Sequence, residues 1–140
     1  MFLRSYSNAG RPVVLGTALC LLTVAMPETA DSPIGTWRGQ STCLVKASAC
    51  RDEASVYRAT AVGKSQTRVR LAANKIVNGQ EANMGTSDCE YSPAAHELNC
   101  PLPNGSTMRF TLEGDTLNGT MTLADGTPWR TIALRRSPAK

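Results

Sequence analysis

The stretch TMRFTLEGDTLNGTMTLADG, residues 107–126, decides the fold. Met108, Phe110 and Leu112 fall on one face, with Arg109, Thr111 and Glu113 on the other. After Gly114 the alternation resumes. Leu117, Gly119, Met121 and Leu123 share a face, opposite Asn118, Thr120 and Thr122. A period of two means strands with one side buried and one side wet. The connector Glu113-Gly114-Asp115 carries the glycine and aspartate that tight hairpins need, and so does Ala124-Asp125-Gly126-Thr127. The second turn leads into WRTIALRR, residues 129–136, where Ile132 and Leu134 take the inward parity.

Working upstream, the same signals recur less regularly. TWRGQSTCL at 36–44 and SVYRATAVG at 55–63 read as strands. TRVRLAA at 67–73 puts Val69 and Leu71 in and Arg68 and Arg70 out. The segment KIVNGQ either continues that strand or turns at Asn78-Gly79, and a short helix is expected over Gln80–Met84. SDCEY at 87–91 and HELNCP at 96–101 flank SPAA as a hairpin. No long 3.6-residue period follows residue 30. About seven or eight short strands in sequence order form a meander, which curls into a barrel or a sandwich because closure removes exposed edges. The expected fold is all-β, a small antiparallel up-and-down barrel over residues 34–136 with a tail at 137–140.

The N-terminus reads differently. Arg4 and Arg11 precede Val13–Ala25, an apolar run of thirteen residues. That suits the core of a signal peptide and falls short of the roughly 20 residues a membrane span needs. Thr23 and Ala25 are small, so cleavage is expected after Ala25. Residues 1–25 then form a signal peptide, and 26–33 a flexible N-terminal segment. Leu19 and Thr17 do not fit a lipoprotein signal at Cys20. The protein is expected to be exported, periplasmic or extracellular, with no integral span after cleavage. Loss of Cys20 leaves Cys43, Cys50, Cys89 and Cys100, an even number that reads as two disulfides in an exported chain. Short separations favour Cys43–Cys50 and Cys89–Cys100. Zinc is disfavoured by the absence of C-x-x-C and by the single histidine, His96.

Charge and motifs exclude more than they assign. The net charge of +4 becomes +3 once Arg4, Arg11 and Glu28 are set aside. No basic stripe interleaved with aromatics is present, so nucleic acid is not an expected partner. There is no G-x-S-x-G, no H-E-x-x-H and no glycine-rich phosphate loop. The carboxylate pairs Asp52/Glu53 and Glu113/Asp115 lie in charged, turn-like contexts and read as solvated. No catalytic residue, metal or cofactor is expected.

Trp37 gives the reading its one family likeness. Gly35-Thr36-Trp37 at the start of the first strand, with an arginine on the last, resembles the lipocalin and avidin barrels, the calycins. The resemblance implies that Trp37 plugs one end of the barrel and that the late arginine lies across its ring. Parity with Ile132 and Leu134 leaves Arg130 and Arg136, and position selects Arg136. An eight-stranded barrel has just enough interior for side chains or one small ligand. The expected function is to hold a small, mainly apolar ligand there, with Trp37, Tyr57, Met108, Phe110 and Met121 as its candidate lining. Gly39, Ser41 and Gly119 share the inward face and leave room, and methionines suit an adaptable lining. The alternative is a solid barrel serving as a protein-interaction module, such as an extracytoplasmic inhibitor of a protease or lysozyme.

Overall fold

A computed structural model describes residues 31–46 and 49–138. Eight strands follow in order: β1 Gly35–Cys43, β2 Glu53–Ala61, β3 Arg68–Val77, β4 Gln80–Ser92, β5 Glu97–Pro101, β6 Thr107–Glu113, β7 Thr116–Thr122 and β8 Pro128–Arg136. Each pairs antiparallel with its neighbour, and β8 returns to β1, which closes the barrel. The expected all-β, up-and-down barrel is what the chain forms. The signal peptide expected over 1–25 and the part of the N-terminal segment at 26–30 lie outside the described residues.

The inward parity read from the sequence holds on every strand it was read for. Trp37, Val69, Leu71, Phe110, Leu112, Leu117, Ile132 and Leu134 are all buried in one core with Tyr57 and Leu98. Tyr57 meets Phe110 edge-to-face, with ring centroids 6.1 Å apart and an interplanar angle of 83°, a geometry that aromatic quadrupoles favour. Phe110 pairs across the ladder with Gly119. A Cβ on Gly119 would lie 2.5 Å from the Phe110 ring, so the glycine makes space for it. The middle of the barrel is therefore filled with side chains.

One end is shut. The Arg136 guanidinium lies 4.3 Å from the centre of the Trp37 ring. Trp37 Nε1 donates to the Pro33 carbonyl at 2.8 Å, and Arg136 donates to the carbonyls of Ile34 and Ser32, each at 2.8 Å. Tyr91 donates its hydroxyl to the Asp31 carbonyl at 2.7 Å. Residues 31–34 thus cross the barrel floor, held by three side chains from three strands.

The helix expected over Gln80–Met84 is instead the start of β4. Asn78 and Gly79, with φ of 52° and 77°, make the two-residue turn that sends β4 back along β3. Glu81 then meets Arg58 through a pair of hydrogen bonds at 2.6 and 2.9 Å, and Asn83 donates to Asn74 at 2.8 Å. Cross-strand partners override the local helix preference of Glu, Ala and Met.

Both disulfides pair as the short separations indicate, Cys43–Cys50 and Cys89–Cys100. The second lies where the β4–β5 ladder ends at Glu90–Asn99, and it clamps the seam there. Two disulfides fit an oxidising compartment. Among the described residues, no helix is long and apolar enough to cross a membrane.

Candidate functional site

The end opposite Trp37 is open. β1, β3, β5 and β7 run up to it, and β2, β4, β6 and β8 start from it, so it is ringed by the Cys43–Cys50 bridge and the turns after β3, β5 and β7. A cavity of about 510 Å³ enters there. Its walls include Tyr57, Met84, Leu102, Met108, Met121 and Trp129.

Two β-bulges shape this mouth. In the β3–β4 ladder Ala73 pairs with Gly85 but Asn74 pairs with Asn83, leaving Met84 as the extra residue. In the β7–β8 ladder Met121 pairs with Arg130 and Thr122 with Pro128, leaving Trp129 extra. A bulge re-aims the side chain it inserts, and both inserted residues line the cavity.

In the wall of the cavity near its rim, where β2 and β8 begin, stands an ion pair. Arg130 Nη1 donates to Glu53 Oε2 at 3.0 Å and to Ser41 Oγ at 2.9 Å. Its Nη2 reaches the Arg51 carbonyl at 3.3 Å and Cys50 Sγ at 3.5 Å. The two charged side chains are only 12 % and 16 % exposed. Sequence parity placed Arg130 inward. Glu53 was read as part of a solvated turn, but it opens β2 on the inward face opposite Ser41. The signal that could have found it is its spacing of two and four residues from Ser55 and Tyr57, both inward.

Tyr57 rises from the packed middle into this space. Burial pushes its hydroxyl up to about 12, with the Arg130 charge opposing the rise and Glu53 adding to it. A folded value above the ordinary 10 means that the native state keeps this proton longer than the unfolded chain. The corresponding stability is complete below pH 10 and is lost as pH climbs toward 12. Denaturant unfolding at pH 10 and pH 12 should show the wild type losing about 2 kcal/mol more than Tyr57→Phe across that window. Equal losses would mean that Tyr57 ionises as an exposed phenol does.

Of the candidate lining residues, Tyr57, Met108 and Met121 come together at the cavity. Trp37 and Phe110 do not line it: Trp37 closes the floor, and Phe110 fills the middle over Gly119. Alternation reveals which face a residue takes, not its height along the barrel axis. Met84, Leu102 and Trp129 were not among the candidates. His96 sits exposed in the turn between β4 and β5, at the closed end. Among the described residues, no group of three His, Cys, Asp or Glu side chains is placed to hold a metal ion.

A wider depression of about 640 Å³ lies on the outer wall, lined only by β6 and β7 residues such as Thr111, Thr120, Arg109 and Asn118. It has neither apolar walls nor a buried polar group, and the mouth has both. No known protein family matches this chain, and no curated protein matches its sequence.

Proposed function

We propose that this protein is an exported binding protein that takes a small, mainly apolar molecule into the open end of its barrel, and that its role is binding rather than catalysis. The observation that carries this reading is the mouth cavity. It combines thioether, indole and aliphatic walls with a few converging polar groups, the usual make-up of a small-molecule site. Three methionines give it an adaptable surface. The two disulfides support export by fitting an oxidising compartment. The second reading, an inhibitor of an extracytoplasmic enzyme, draws on Leu44, 49 % exposed beside the Cys43–Cys50 bridge. That reading needs no cavity, so the cavity favours the first.

The test uses N-phenyl-1-naphthylamine, a neutral apolar dye that fluoresces out of water. It should bind the wild type with one site. Met121→Trp, which fills the mouth from a half-buried position, should weaken binding about tenfold or more while the unfolding midpoint stays close to wild type. Dye binding that ignores this substitution would remove the mouth from consideration. Native mass spectrometry of protein from its own source should show a retained small molecule.

A further inference from the structure

We infer that the mouth selects ligands whose polar head is uncharged and accepts a hydrogen bond, and that it discriminates against carboxylates. This rests on the binding reading above and names the ligand class for the same cavity.

The argument starts from charge. Arg130 is the cation a carboxylate would seek, but Glu53 already holds it at 3.0 Å, and Ser41 and the Arg51 carbonyl take further donors. Both ends of the pair are mostly withdrawn from water. A second carboxylate would have to displace Glu53, leaving that charge unpaired, or sit beside it and face like-charge repulsion at low dielectric. Lys75 approaches Glu53 at 3.9 Å, but it is 40 % exposed, and solvent weakens what it can offer an anion. The ion pair therefore acts as a closed polar element of the wall rather than as an anion receptor.

Hydrogen-bonding capacity points the other way. Tyr57 is 2 % exposed, yet it lines the cavity, where Arg130 and Glu53 act on its hydroxyl through their charges. It stays a donor at neutral pH. Ser55 lies on the same inward face, between Glu53 and Tyr57. Ser55 Oγ is the buried side-chain polar atom left without a partner among the described residues, and Tyr57 presents its donor to the cavity. The site therefore gains most from a ligand that brings an acceptor without a charge: an alcohol, ester, ketone or amide. The methionines and Trp129 would take its apolar part.

The experiment is displacement of N-phenyl-1-naphthylamine by three ten-carbon probes: decanoate, decan-1-ol and methyl decanoate. The neutral probes should displace the dye at concentrations about tenfold or more below decanoate at pH 8. Tyr57→Phe keeps the ring that packs on Phe110 and should lower affinity for the neutral probes several-fold while sparing the dye, which offers the tyrosine no oxygen. Glu53→Gln keeps an acceptor for Arg130 but frees its charge, and should raise decanoate affinity about tenfold. That gain is a result a merely structural change would not give. Decanoate binding as tightly as the neutral probes, or a Glu53→Gln protein with unchanged preference, would overturn the head-group inference while leaving the binding reading intact. A wild-type protein that fails to bind the dye would overturn both.

Discussion

Trp37→Ala is expected to cost about 3 to 5 kcal/mol of folding stability, as large buried truncations do. The indole is fully buried at the barrel floor. Its loss leaves a void under Arg136 and strips the Pro33 carbonyl of its donor. The effect spreads because Arg136 serves two functions at once. It covers the ring face at 4.3 Å, and it donates to the carbonyls of Ser32 and Ile34 and to Asp115. Arg136→Ala should therefore cost about 2 to 3 kcal/mol, more than a stacked cation alone contributes, because two backbone acceptors lose their partners as well. A double-mutant cycle followed by urea unfolding should show coupling of about 1 kcal/mol or more between the two positions. Strict additivity would mean that ring and guanidinium do not support each other. Dye binding at the far mouth should survive Arg136→Ala, since the packed middle separates the two ends.

The sequence made the closed end of the molecule legible and the open end only partly so. Strand alternation at Met108–Glu113 and Leu117–Leu123 set which side chains face in, because a one-residue slip would reverse every one of them. The cysteines were readable because each pair spans a short loop that a hairpin closes. Trp37 and Arg136 were readable because closing a meander forces its last strand beside its first. The mouth was harder. Met84 and Trp129 reach it through bulges, and a bulge is a mismatch between two strands that neither strand's pattern contains. Glu53 looked solvated because Asp52 precedes it. The two carboxylates part company at the strand boundary: Asp52 accepts from the Cys43 amide outside the barrel interior, and Glu53 turns in to Arg130. Gln80–Met84 misled for the same kind of reason, its local helix preference being weaker than the β3 edge waiting for it.

Gly39→Ala is the other substitution with a large expected effect, and it tests the seam that carries the site. Gly39 lies inward on β1 opposite Leu134 of β8. Its backbone is not in the left-handed region, so an alanine there meets no conformational strain. The obstacle is space. A Cβ would run into the carbonyl oxygen of Ala133 and come within 2.9 Å of the Ala133 carbonyl carbon and Leu134 Cα. Every one of these atoms is backbone, and none can rotate away, so β1 and β8 must separate. Gly119 offers a comparison: its Cβ would meet the Phe110 ring, which can tilt, at 2.5 Å, and one backbone atom, the Arg109 carbonyl oxygen, at 2.6 Å, a milder approach than Gly39 makes to Ala133. Gly39→Ala should therefore lose about 3 kcal/mol or more, at the upper end of overpacking costs, and Gly119→Ala less. The damage should also reach the mouth. Ser41 and Ile132 form the next inward-facing pair along this seam, Arg130 follows opposite Cys43, and Ser41 holds the Arg130 guanidinium. Parting the strands at Gly39 loosens that contact, so hydrogen exchange should accelerate along β1 and β8 while the β5–β6 ladder stays protected, and dye affinity should fall with it. A Gly39→Ala protein that keeps the wild-type unfolding midpoint would mean that the two strands do not approach this closely. In that case the Ser41–Arg130–Glu53 cluster in the cavity wall would lose its structural anchor as well.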